Sequence, residues 1–97
     1  MTDRPQAVAT VKIDEPGVRV TEWRFVPGAE TGWHVHDHDY VVVPLLDGAL
    51  LLEEPGGVSR TVPMTQHAPY ARLAGVEHNV VNASGHDYAF LEVEILR

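Results

Sequence analysis

The chain has 97 residues, which excludes a two-domain enzyme with a separate cofactor-binding module. Fourteen acidic residues against seven basic ones leave a formal charge of -7, a sign that repels phosphate backbones, so nucleic acid and membrane surfaces are excluded as partners. The absence of cysteine removes disulfides, thiolate nucleophiles and iron–sulfur clusters, and six histidines remain as the soft ligands.

From the N-terminus, Asp3, Arg4, Lys12 and Asp14 interrupt any apolar run of the kind a signal peptide needs. No segment reaches the roughly 18–20 apolar residues of a membrane span, so a cytoplasmic protein is expected. Proline and glycine then cut the chain into pieces too short for ordinary helices. The pieces are rich in valine, leucine, isoleucine, threonine and aromatics, which predicts strands over 8–13, 18–26, 31–36, 40–46 and 49–54. The Asp47-Gly48 pair between the last two predicts a hairpin. After Pro55-Gly56-Gly57 come strands over 59–62, 70–73, 77–82 and 88–96. In the last, Leu91, Val93 and Ile95 share one face and Phe90, Glu92 and Glu94 the other; glutamates there fit solvent, a subunit contact or a polar interior. Short strands at close spacing, with no repeat and no linker, predict one all-β domain over 1–97, a sandwich or barrel.

Histidine spacing carries the chemistry. His34 and His36 stand two apart in a predicted strand, so their side chains project the same way with Cα atoms about 6–7 Å apart, close enough to converge on one ion. His78, from a distant strand, is the natural third ligand, leaving coordination positions open for water, substrate or O₂. The same spacing also occurs on exposed strands that bind nothing, so the surrounding pattern decides.

That pattern resembles the cupins, a superfamily of small β-barrels. Their first motif is glycine, five residues, histidine, one residue, histidine, three or four residues, glutamate, six residues, glycine; Gly28, His34, His36 and Gly48 match it. Their second ends in glycine, two residues, histidine, three residues, asparagine; Gly75, His78 and Asn82 match it. The resemblance implies a jelly-roll β-barrel and a divalent metal, iron, nickel, manganese or zinc, held by His34, His36 and His78.

Departures from the motifs bear on the chemistry. The glutamate position falls on Tyr40 with the three-residue spacing and on Val41 counting back from Gly48; Tyr40, which shares parity with the histidines and offers a phenolic oxygen, is preferred. The early glycine and proline positions of the second motif are His67 and Leu73. Three neutral imidazoles around a divalent ion leave about +2 of charge, which favours a small anionic or chelating ligand. Tyr40 and His38 are the candidates for a fourth ligand or for a place just behind the ligands, and Tyr40 is the nearest thing to a catalytic base. His67, His86, Asp37, Asp39 and Glu30 are expected at the surface, Trp33 facing away from the barrel, and Asn82 in a structural turn. Met64, Tyr70, Phe90 and Glu92 are candidates to line the cavity.

Two functions compete. One is a metal-dependent oxygenase, isomerase or lyase of small-molecule catabolism, favoured by the histidine trio. The other is a ligand-binding or sensing barrel, with or without metal, favoured by the missing glutamate. Long terminal strands at a small domain's edges suggest pairing with a second copy, and the resemblance implies a homodimer.

Overall fold

The computed structural model describes residues 3–97. Among the described residues nine strands follow one another: β1 (Val8–Glu15), β2 (Val18–Phe25), β3 (His34–Val35), β4 (Asp39–Pro44), β5 (Gly48–Glu54), β6 (Val58–Met64), β7 (Tyr70–Arg72), β8 (Glu77–Asn82) and β9 (Tyr88–Ile95). They form two antiparallel sheets, ordered β1-β2-β9-β4-β7 and β3-β8-β5-β6, packed face to face as a jelly roll. No helix of the described residues is long and apolar enough to cross a membrane.

Alternation along the strands decides what lies between the sheets. On β4, Tyr40, Val42 and Pro44 point inward and are buried, while Asp39, Val41 and Val43 are only partly covered. From β5 come Leu50 and Leu52, from β8 Val80, and from β2 and β9 Phe25, Tyr88 and Phe90. Ring centroids of Phe25 and Phe90 are 5.5 Å apart. Each fully buried side chain of this size contributes about 1.5–3 kcal/mol, and this aromatic layer closes the floor of the sandwich. The same parity on β9 puts Glu92 on the inner side with Phe90, so of the three settings open to that face it is the polar interior that Glu92 occupies.

Three local expectations are corrected. Asp47-Gly48 is not a hairpin turn: β4 already has β9 and β7 on its two sides, while β5 pairs with β6 and β8, so the chain crosses here from one sheet to the other. Asp47 Oδ1 accepts the Gln66 N–H at 2.8 Å, and a Cβ on Gly48 would lie 2.8 Å from Tyr88 Cδ1, so glycine is needed for closeness. The strand expected over 31–36 shrinks to His34–Val35, because Gly32 takes φ 91° and ends the extended run. Glu30 is not an exposed residue, since it bridges backbone partners Gln6 and Val81 and its carboxylate meets Arg4 at 3.2 Å.

Candidate metal centre

The site grows from the pairing of β3 with β8. His34 lies directly opposite His78 in the antiparallel register, so their side chains rise from the same face. Beyond β3 the chain stays tied to the start of β8: His36 N–H donates to Val76 O at 2.9 Å and Gly75 N–H to His36 O at 2.8 Å. These bonds hold His36 on the face that His34 and His78 share. Its Nε2 lies 3.1 Å from His34 Nε2 and 3.2 Å from His78 Nε2. The three rings meet edge to face, with centroids 4.7–5.2 Å apart.

A metal ion fits this donor set. With metal–nitrogen bonds of about 2.0–2.1 Å, two ligand nitrogens are about 3.0 Å apart at a right angle and about 3.3 Å at a tetrahedral one. The observed separations fall between these. His34 Nδ1 faces Gly32 O at 2.8 Å, which makes Nδ1 the protonated nitrogen and leaves the Nε2 lone pair aimed at its neighbours. One Nε2–H on His36 would satisfy only one of its two facing nitrogens, whereas a cation satisfies all three lone pairs. Burial, helped by the neighbouring imidazoles His34 and His78, lowers His36 to about 3. Burial together with His34 and Arg72 lowers His78 to about 4. Both rings are therefore neutral near pH 7, the form a metal needs.

Tyr40 lines the same cavity, its ring stacked on His36 with centroids 3.8 Å apart and planes 17° apart. Burial pushes its phenol well above the usual range, so it stays protonated, and its visible contact is with the imidazole face. Val41 faces the other way. His38 lies apart, in a shallow outer depression with Asp37, Asp39 and Arg97. Asp39 does not simply face solvent: it accepts Ala74 N–H at 2.9 Å and pairs with Arg97 at 3.3 Å. His67 and His86 are exposed, and His67 holds φ 61°, the left-handed backbone that glycine adopts most readily. Trp33 is 51% exposed and donates Nε1–H to Glu77 Oε2 at 2.7 Å. Asn82 is structural: its amide donates to Phe25 O, Val26 O and His86 O.

The wall facing the imidazoles is built by four strands. The register sets Tyr40 beside Arg72 and Glu94, and Val42 beside Tyr70 and Glu92. Tyr70, Arg72, Phe90, Glu92 and Trp23 all reach the cavity; Met64 lines an outer groove instead. Burial, with the like charge of Glu94, raises Glu92 to about 7, giving the cavity a carboxyl that exchanges a proton near neutrality. The space enclosed is about 20 Å³, room for about one water.

Sequence reasoning missed Arg72, Trp23 and Asn79. Asn79 follows His78 and so points to the opposite face of β8, where its amide donates to Glu30 Oε1 and Glu53 Oε1 at 2.8 Å each. Its Oδ1 accepts the Gly32 N–H at 2.9 Å, and Arg4 closes the network on Glu53 at 2.9 Å. Alternation next to a candidate ligand was the available signal for Asn79. Arg72 and Trp23 carry none, because their position depends on strand order.

Comparison with known proteins agrees with this architecture. No protein-family model matches the chain. The β-alanine degradation protein BauB of Pseudomonas aeruginosa is 62% identical over 95 residues, 98% of this chain and 99% of the relative. A crystal structure of a cupin domain from Bordetella pertussis is 54% identical with a TM-score of 0.95, each chain covered in full. A double-stranded β-helix protein from Klebsiella pneumoniae, 18% identical with a TM-score of 0.77 over 98% of this chain and 81% of its own, shares the fold.

Proposed function

The chain belongs to the cupins, and from that membership we propose that it holds one divalent metal ion on His34, His36 and His78 and binds a small acidic or chelating metabolite there, in the breakdown of a small molecule. The observation that carries this reading is the convergence of three Nε2 atoms, at 3.1 and 3.2 Å about His36, from rings that burial keeps neutral. The name of the Pseudomonas relative places that protein in β-alanine degradation, and a match along nearly the whole chain supports the same setting here.

An ion at this site supplies Lewis acidity and, for a redox-active metal such as iron, O₂ activation. The chain's own residues do the rest. Gly32 O fixes the tautomer of His34, and Tyr40 holds the plane of His36. Glu92 takes up or releases a proton within the cavity at near-neutral pH, which makes it a better acid–base group than the permanently protonated Tyr40. The narrow interior excludes bulk water and restricts the ligand to a short molecule. These features favour an enzyme of the oxygenase, isomerase or lyase kind over a carrier or sensor.

Elemental analysis of tag-free protein tests the reading. Near-stoichiometric metal is expected in the wild type, with a loss of at least about 100-fold in affinity in His78→Ala. A metal-free wild type that also takes up no iron, nickel, manganese or zinc would sink it. Oxygen consumption across short oxo acids then separates an oxygenase from the rest. We also place the protein in the cytoplasm as a homodimer. The outer edge of β1 is unpaired, with Val8, Val11 and Ile13 44–61% exposed, and light scattering measures whether a second copy covers it.

A further inference from the structure

The chain carries twice as many acidic as basic residues, and its cations are almost all engaged. Arg4, Lys12, Arg19, Arg24, Arg60 and Arg97 each lie within ion-pair distance of a carboxylate. Among the described residues, Arg72 alone does not. It is half-buried on β7, opposite Tyr40 in the register, with its guanidinium carbon 5.9 Å from the centre of the Tyr70 ring. Arg72 and Tyr70, with Leu52, line both the inner cavity and an outer groove of about 360 Å³, so they form the boundary between the two.

A guanidinium matches a carboxylate through two parallel N–H···O bonds, and partial burial strengthens them. In a chain with carboxylates to spare, a half-buried arginine beside the imidazole trio and free of ion pairs is a vacancy for an anion from outside. The inner space, about 20 Å³, admits little more than one polar atom of the ligand. We infer that Arg72 is the anion receptor of the cavity: it takes the carboxylate of a short oxo or hydroxy acid at this boundary, while a second oxygen of that acid reaches toward His34, His36 and His78. The second contact rests on the metal reading given above; the first does not. Glu92 is level with Val42, one register step away from Arg72, and the carboxylate in Arg72's own row, Glu94, stands on the far side of Tyr40 and is paired with Arg19 at 3.5 Å.

Calorimetric titration with malonate and with its neutral analogue malonamide tests this on chelator-treated wild type, Arg72→Gln and Arg72→Lys, then on the same proteins reloaded with nickel. The wild type should bind malonate at least about tenfold more tightly than malonamide, the ratio expected of a charge-assisted pair. Arg72→Gln should lose that preference and Arg72→Lys keep part of it, with metal content and melting temperature unchanged in both. Malonate binding in Arg72→Gln equal to wild type overturns the proposal, as does a wild type that shows no malonate binding in the millimolar range in either form. A wild type that keeps the malonate preference but takes up no metal supports the receptor and overturns the metal reading, so the two fail separately.

Discussion

The cavity has two walls of opposite construction. One is made by β3 and β8, whose direct pairing sets His34 against His78. The other is spread over β7, β4, β9 and β2, which bring Arg72, Tyr40, Glu92 and Trp23 to the same space. Burial acts on both, lowering His36 and His78 and raising Glu92, because a low-dielectric interior disfavours the charged form whichever sign it has. The first wall thus offers lone pairs to a cation, and the second offers a proton and one fixed positive charge. Their pH responses run in opposite directions, and substitutions on either wall should separate them.

Tyr40 joins the walls and gives the largest expected effect on folding. Tyr40→Ala removes a buried aromatic ring and should cost about 3–5 kcal/mol in urea unfolding, with weaker metal binding because His36 loses its stacked neighbour. Tyr40→Phe keeps the stack and should stay within about 1 kcal/mol of wild type with its metal retained. Loss of metal from Tyr40→Phe as complete as from Tyr40→Ala would make the phenolic oxygen a ligand and erase the division between the walls.

Glu92 gives the next effect. Its folded value of about 7 lies above the ordinary 4.5, so the native chain binds more protons than the unfolded one between these values. The stability this contributes is full below about 4.5 and is lost as pH rises through about 7. For His36 and His78 the folded values, about 3 and about 4, lie below 6.5, and the matching stability is lost as pH falls from about 6.5 toward those values. In chelator-treated protein, the stability of Glu92→Gln relative to wild type should therefore rise by about 2–3 kcal/mol between about pH 5 and pH 8. A flat difference across that range would mean that the carboxyl is ionised throughout and that the second wall is not a proton store.

The two walls also differ in how far they could be read from the chain. His34, His36 and His78 were legible because a two-residue offset on a strand fixes parity without knowledge of the fold, and the cupin motif supplied the distant partner. Strand positions were legible to within a few residues for most elements, since breakers bound each apolar run. What alternation does not contain is which strand lies beside which. The Asp47-Gly48 pair has the composition of a hairpin, yet both sides of β4 are occupied and the chain must change sheets. Nothing in the sequence sets Arg72 apart from the other arginines, and only the β4–β7 register carries it to Tyr40. Glu92 was a candidate by parity, but its raised proton affinity depends on burial and, second, on Glu94.

Asn79 offers the smallest and most selective test, because it touches the first wall from behind. Its Oδ1 holds the Gly32 N–H, and Gly32 O is the acceptor that fixes His34 Nδ1; the amide meanwhile bridges Glu30 and Glu53. Asn79→Ala should cost about 1–2 kcal/mol, since it leaves the partly buried Gly32 N–H without its acceptor, and should weaken metal binding about tenfold by releasing the Gly32 carbonyl. The titration of Glu92 should not move, because Asn79 points away from the cavity. Reduced metal affinity with an unchanged pH profile would show that the imidazole wall is supported independently of the carboxyl wall. An unchanged metal affinity, with stability lost all the same, would mean that β3 is held in place by its pairing with β8 alone.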